Sequence, residues 1–205
     1  MILCDIGNTT ADIFEDGIRR KIPLTEFDPE ALNGDVWYAN VNCTLDEKLE
    51  NLPHWHTITT LIDRDKYYST MGIDRILVCE AIEEGVIVDA GSAITVDVMS
   101  EGGYQGGFIS LGLRSAQEAY ARLSSALEVS FNFEVDFGKM AKNTPDSVTV
   151  GFLAPLIHEI QRVNKPIYLT GGDAPIFARY FTDAIVDEIL VFKGMQKLIN
   201  KGSQC

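Results

Sequence analysis

One short pattern occurs twice in this chain and constrains its fold more than anything else in it. Cys4, Asp5, Ile6, Gly7, Asn8 and Thr9 are echoed by Val88, Asp89, Ala90, Gly91, Ser92 and Ala93. Each copy follows an apolar run and precedes an alternating segment with Thr and Asp: Thr10 and Asp12 first, Thr95 and Asp97 later, with a one-residue offset. A repeat this long does not make a solenoid. It predicts two related α/β halves, residues 1–84 and 85–205, each opening with a β-hairpin whose first turn holds Asp-x-Gly.

The rest of the chain alternates between strand and helix patterns. Ile2–Asp5 reads as a buried strand that turns at Gly7 and Asn8, Thr10–Phe14 as a second strand, and Gly17 as a tight reversal into Ile18–Ile22. Val36–Val41 and the β-branched Thr57–Ile62 read as strands. Thr44–Leu52 has helical spacing with Thr44 or Asp46 as N-cap, and Asp74–Ile82 is helical. After the restart, Val86–Asp89, Ile94–Met99 and Tyr104–Ser110 predict strands, the last two joined at Gly102 and Gly103. Leu113–Leu127 and roughly Ser147–Val163 are helical. Pro166–Thr170 is a short strand running into Gly171, Gly172 and Asp173. Ala184–Val191 reads as a last strand before a helix to Ile199, with a frayed polar tail at Lys201–Cys205.

Composition narrows the function. Hydrophobic residues are 46% of the 205, enough for packed cores. No apolar run approaches the ~18 residues a membrane helix needs, and the start, Met1 to Asp5, has no basic stretch, so neither a membrane protein nor a signal peptide is expected. Lys and Arg number 17 against 30 Asp and Glu, a net charge of −13. Nucleic acid requires clustered cations and is set aside. An anionic small molecule would have to be held by local devices: backbone N–H groups, helix N-termini, a bound cation or one placed Arg. Cys4, Cys43, Cys79 and Cys205 are far apart without Cys-x-x-Cys spacing, so neither disulfides nor zinc are expected and a reducing cytoplasm fits. His54 and His56 flank Trp55 with no third ligand in view and read as a surface loop.

The Asp-x-Gly turn has a chemical logic for nucleotides. Glycine lets backbone approach a ligand, consecutive N–H groups with Asn8, Thr9 and Ser92 can bind phosphate oxygens, and the carboxylate can hold a cation or its water. One such turn alone is an ordinary hairpin capped by Asp and Asn. Two, in paired halves, make a phosphate clamp. Gly171, Gly172 and Asp173 either admit a base or ribose against the backbone or form a strand-to-helix turn with Asp173 as N-cap. Walker-type Gly-x-x-x-x-Gly-Lys, Gly-x-Gly-x-x-Gly after a strand, and Gly-x-Ser-x-Gly are all missing, which removes P-loop, Rossmann and α/β-hydrolase readings. Asp74, read from its own surroundings, is either a general base near phosphates or a helix N-cap paired with Arg75.

Five motifs stand in order: Asp5-Ile6-Gly7-Asn8-Thr9-Thr10, Gly72-Ile73-Asp74-Arg75, the segment from Asp89 to Asp97, the glycine-bounded segment from Gly106 to Gly112, and Thr170-Gly171-Gly172-Asp173. Together they closely resemble type III pantothenate kinases, members of the actin-like superfamily that also holds sugar and acetate kinases. The resemblance spans nearly the whole chain. The two Asp-x-Gly motifs are general to the superfamily; Gly-x-Asp-Arg is what points to this family.

The resemblance implies an α/β fold of two duplicated actin-like, ribonuclease H-like halves, with mixed sheets flanked by helices and a nucleotide cleft between them. It implies ATP contacts from Asp5, Ile6, Gly7, Asn8, Thr9, Thr10, Ala11 and Asp12, and from Gly91, Ser92, Gly171 and Gly172. Asp89 resembles the ligand of an activating K⁺ or NH₄⁺, and Asp5 would hold the Mg²⁺ of ATP through water. Pantothenate would meet Gly72, Ile73, Asp74, Arg75 and Thr144, with Asp74 as catalytic base. The family's substrate-facing Tyr has Tyr67 as its nearest counterpart here, with Tyr68 beside it, off the customary spacing. The implied activity is phosphorylation of pantothenate by ATP in the cytoplasm, by a homodimer whose substrate sites lie at the dimer interface. Two other readings stay open: a superfamily kinase for another small molecule, and a non-catalytic nucleotide-binding regulatory relative.

Overall fold

The computed structural model describes residues 1–202, apart from the side chain of Cys43; Cys205 and the end of the expected frayed tail lie outside the described residues. In chain order the elements are β1 Ile2–Ile6, β2 Thr10–Glu15, β3 Ile18–Pro23, β4 Val36–Asn40, α1 Asp46–Glu50, β5 Trp55–Thr57, α2 Ile73–Ala81, β6 Gly85–Ala90, β7 Ala93–Ser100, β8 Gly103–Leu111, α3 Leu113–Leu123, α4 Thr144–Arg162, β9 Ile167–Thr170, α5 Ala174–Phe177, β10 Ile185–Val186 and α6 Leu190–Gly202. None of the helices among the described residues is long and apolar enough to cross a membrane.

Two five-stranded sheets share one plan. The first has the order β3-β2-β1-β4-β5, with β1 antiparallel to β2 and parallel to β4. The second has the order β10-β9-β6-β7-β8, with β6 antiparallel to β7 and parallel to β9. The architecture is α/β with two sheets of matching strand order, as the repeat predicts. In each sheet the strand that ends in Asp-x-Gly is central and buried, with a hairpin on one side and parallel strands on the other.

The chain divides into two compact units. The first comprises Met1–Glu83, Gly102–Tyr104 and the chain from Ile189; the second comprises Glu84–Glu101 and Gln105–Glu188. The C-terminal helix belongs with the N-terminal sheet rather than with the chain that precedes it. Packing explains this. Leu190, Phe192, Met195, Leu198 and Ile199 of α6 are buried, and the Phe192 ring stacks on Phe14 of β2 at 5.3 Å. Gly194 is pressed against α2 so closely that a Cβ there would stand 1.8 Å from the Leu77 carbonyl oxygen. Gly194→Ala would force the two helices apart. It is expected to cost about 1–3 kcal/mol or more in unfolding free energy, measured by denaturant titration.

Within the first unit, Ile2, Cys4 and Ile6 pack with Ala11, Ile13, Val36 and Leu49 on one sheet face. Within the second, Val86, Val88, Ala90, Ile94, Val96 and Leu169 pack against Leu113 of α3 and Leu153 and Ile160 of α4. Strand alternation then puts Asp89, Thr95 and Thr170 on the opposite face.

Several expectations are corrected. The stretch Thr57–Ile62 is strand only to Thr57, whose hydroxyl accepts from Thr59 N and starts a 3₁₀ turn over Ile58–Leu61; local hydroxyl capping outweighs β-branched propensity. Ala184–Val191 yields only the two-residue β10, because its apolar residues continue with helical spacing into α6. Helix α1 is shorter than Thr44–Leu52 and neither Thr44 nor Asp46 caps it; Asp46 instead accepts from Asn40 Nδ2 at 2.8 Å. The helix over Leu113–Leu127 breaks at Ser124, whose hydroxyl caps a following 3₁₀ turn. His56 lies within the strand β5 rather than in a loop, and His54 in the turn just before it; His54 Nε2 is 3.2 Å from the Leu32 carbonyl oxygen. Lys201 and Gly202 continue α6 instead of fraying. Cys4 and Cys79 are buried free thiols.

Candidate active site

The first turn is built by β1 and β2. Asp5 lies at the end of β1, in register with Asp12, and Gly7 N donates to the Thr10 carbonyl at 2.9 Å to close the hairpin. Asn8 and Thr9 are exposed at its tip, with Gly7 and Thr10 half-buried beside them. Their amide, hydroxyl and backbone groups are thus presented as a small anion-binding concavity would need them. Ile6 and Ala11 are fully buried, so only their backbone could meet a ligand. Asp12, expected among the nucleotide contacts, is committed elsewhere. Arg19 on β3 grips it through Nε at 2.9 and 3.0 Å and through Nη2 at 2.5 Å, a bidentate brace across the hairpin.

The second turn lies among β6, β7 and β9. Asp89 is in register with Thr95 on one side and Thr170 on the other. Gly91 N donates to the Ala93 carbonyl at 2.9 Å, and Ser92 is exposed. The Ser92 carbonyl accepts from Gly112 N and from Ser115 Oγ, both at 3.2 Å. A Cβ on Gly112 would come within 2.3 Å of the Gly91 carbonyl oxygen, so the start of α3 can sit on this turn only as glycine. That gives the Gly106–Gly112 motif a structural reason.

Gly171 has φ +86°, and a Cβ on it would lie 2.4 Å from both the Ala90 carbonyl oxygen and Asp89 Oδ1. Glycine is required here by conformation and by space. Asp173 stands at the N-cap position of α5, as one of the two readings has it, but without a side-chain capping bond; its backbone N–H donates to the Ala90 carbonyl at 2.9 Å, and burial raises its carboxyl pKa. Asp89 Oδ1, the Ala90 carbonyl and the buried, unpartnered Thr95 Oγ1 are all oxygens. Such a donor set suits a hard cation. Among the described residues no three Asp, Glu, His or Cys side chains cluster as a metal site.

The third element is the start of α2. Gly72 is the N-cap, with φ −61° and ψ 145°, and a Cβ on it would stand 2.5 Å from Asp74 Oδ1. Asp74 lies in the first helical turn and accepts from Arg75 N at 2.9 Å. The capping reading of Asp74 is therefore corrected: glycine caps, and the carboxylate stays half-exposed. Arg75 is 5% exposed and donates through Nη1 to Tyr68 Oη at 2.5 Å.

Tyr67, expected to face substrate, is instead 8% exposed and donates to Glu80 Oε1 at 3.0 Å. Burial and the Glu80 charge push its phenol far above the usual range. Tyr68 is the exposed member of the pair. Thr144 opens α4 beside the N-cap Asn143 and lines a hollow of about 410 Å³ with Tyr120, Leu127 and Lys142. Arg19 and Tyr104 carry site structure that no local pattern in the sequence signals, because each acts across a tertiary contact.

The profile of the type III pantothenate kinase family matches residues 37–165. A protein of Sulfurimonas denitrificans named type III pantothenate kinase is 46% identical over 205 residues, all of both chains. A Campylobacter jejuni protein of the same name is 36% identical over 203 residues, 98% of this chain and 97% of that one. A solved structure from Campylobacter jejuni, described as a conserved protein assigned to the Baf family of transcriptional activators, superposes with a TM-score of 0.90 at 35% identity over the full length of both. A Sinorhizobium meliloti protein assigned as a 2-dehydro-3-deoxygalactonokinase shares the fold alone: TM-score 0.56, 8% identity, 99% of this chain and 98% of that one.

Proposed function

The chain belongs to the type III pantothenate kinase family, and from that membership we propose that it transfers the γ-phosphoryl group of ATP to the hydroxyl of pantothenate, giving phosphopantothenate, the first step of coenzyme A synthesis. The observation that carries the reading is the 46% identity to the Sulfurimonas kinase over all of both chains.

Phosphoryl transfer asks for positioning and charge neutralisation more than for covalent chemistry. The Asp5–Thr10 turn and the Gly91–Ser92 turn supply backbone and hydroxyl donors for phosphates, and Gly172, beside the tightly packed Gly171, leaves backbone open to the nucleoside. Asp74 accepts the proton of the substrate hydroxyl as its oxygen attacks phosphorus, and Arg75 answers the pantothenate carboxylate. Gly72 and Ile73 shape the entry to α2, and Thr144 adds a hydroxyl to the substrate. Mg²⁺ held through water at Asp5 and K⁺ or NH₄⁺ at Asp89 would offset charge on the transferred group. Mg²⁺ needs only one or two carboxylates when phosphates complete its shell, which Asp5 suits.

A coupled assay of ADP release, with and without pantothenate, tests the reading. We expect release to depend on pantothenate; release with another small alcohol but not with pantothenate would favour a different kinase of the superfamily. The regulatory alternative draws on the description of the Campylobacter structure, but the net charge of −13 opposes contact with DNA. Absence of ADP release with any acceptor would favour it. We place the enzyme in the cytoplasm, where ATP is made and thiols stay reduced.

We also propose a homodimer whose partner chain completes the substrate site. Sedimentation at micromolar concentration should give twice the mass of one chain. A fully active single-chain species would remove the idea.

A further inference from the structure

Asp173 stands just before α5, where a side-chain oxygen ordinarily accepts from a backbone N–H two or three residues on. Asp28, Asp63 and Asn143 do this at other helix starts in the chain, each from an extended backbone. Asp173 does not. Pro175 has no N–H to offer, and the Ile176 and Phe177 N–H groups both donate to the Asp173 carbonyl oxygen, at 2.9 and 3.3 Å. The backbone of Asp173, at φ −95° and ψ 2°, also departs from the extended form. Among the described residues nothing bonds or ion-pairs with its carboxylate, and burial alone raises its pKa.

A half-buried carboxylate of this kind has lost water without gaining a donor. An ionised carboxylate only accepts hydrogen bonds, so whatever completes it must donate. The surroundings narrow the choice. Asp173 N is tied to the Ala90 carbonyl at 2.9 Å, one residue before the Gly91–Ser92 turn with its donors for phosphates. Gly171, at φ +86°, folds the chain tightly onto the end of β6, while at the exposed Gly172 an added Cβ would meet nothing within 4 Å. In a nucleoside triphosphate the sugar is the piece between phosphates and base. It carries two neighbouring hydroxyl donors, whereas ionised phosphates only accept.

Resting on the reading that the nucleoside lies along Gly172, we infer that Asp173 accepts hydrogen bonds from the ribose hydroxyls and sets a preference for a ribonucleotide over its 2′-deoxy analogue. Asp173 is thus a specificity residue for the nucleotide and acts on neither the transferred phosphoryl group nor pantothenate.

The test measures binding of ATP and of 2′-deoxy-ATP by calorimetry, with steady-state kinetics at saturating pantothenate, for full-length wild type, Asp173→Ala and Asp173→Asn. We expect wild type to bind ATP at least about tenfold more tightly than 2′-deoxy-ATP, as for a hydrogen bond to a charged group. In Asp173→Ala the preference should fall to within about twofold, through loss of ATP affinity, and Asp173→Asn, which keeps one acceptor oxygen, should fall between. The kcat with ATP and the KM for pantothenate should stay within about twofold in both variants. Equal losses on the two nucleotides, an undiminished preference in Asp173→Ala, or a wild type indifferent to the 2′-hydroxyl would overturn the inference. A wild type that binds neither nucleotide would overturn the nucleotide reading and the inference with it. Tight ATP binding without ADP release would overturn the kinase reading alone, since calorimetry still reads the ribose preference.

Discussion

Replacing Asp74 by Asn is expected to lower turnover by about 10²–10⁴-fold while KM for ATP and for pantothenate stays near wild type. The change is isosteric. An amide oxygen can still accept from Arg75 N, the contact Asp74 Oδ1 makes at 2.9 Å, so the first turn of α2 keeps its shape. What is lost is a group able to take the hydroxyl proton during attack. A purely structural role predicts something else. Loss of helix-terminal charge would lower stability by about 1 kcal/mol and leave saturated turnover intact. Steady-state kinetics beside a melting curve separate the two. More than about half of wild-type turnover in the variant would end the assignment of Asp74 as base.

Asp89→Ala is expected to remove most activity, roughly 10²-fold, and to abolish any difference between K⁺ and Na⁺. In the wild type, replacing K⁺ by Na⁺ at constant ionic strength should lower the rate sharply. The chain carries −13 and ATP adds more negative charge, while neither Asp-x-Gly loop carries a lysine. Asp89 Oδ1 and the Ala90 carbonyl stand together against Gly171, an oxygen-rich corner that suits the larger ion. A shift in melting temperature on adding K⁺, lost in Asp89→Ala, gives a second readout without turnover. Equal wild-type rates in the two salts would leave Asp89 as a divalent-metal or structural residue.

Much of this molecule is legible in its sequence because the repeated turn is local. Strand, glycine and carboxylate lie within a few residues, and the two hairpins form where the pattern puts them. Gly72–Arg75 is equally local: the helix begins at that motif. What the sequence hides is which of two neighbours faces inward. Tyr67 and Tyr68 differ by one position, and only the tertiary acceptor Glu80 decides that Tyr67 is buried. Asp12 looks like part of the loop until Arg19, seven residues on, is brought beside it by the next hairpin. The β-branched run at Thr57 and the apolar run at Ala184 fail for another reason. In each, a short segment fits two periods, and hydroxyl capping or helix packing chooses between them.

The return of α6 to the N-terminal sheet imposes an order of manufacture. On the ribosome the second unit, Glu84–Glu101 with Gln105–Glu188, has emerged whole while the first still lacks its last helix. Until Leu190 to Ile199 follow, Leu77 of α2 and Phe14 of β2 have no cover from that side. Domains usually become complete in the order they are translated. Here the interior passage of the message finishes its product first, and the opening passage must wait, partly open, for the closing one.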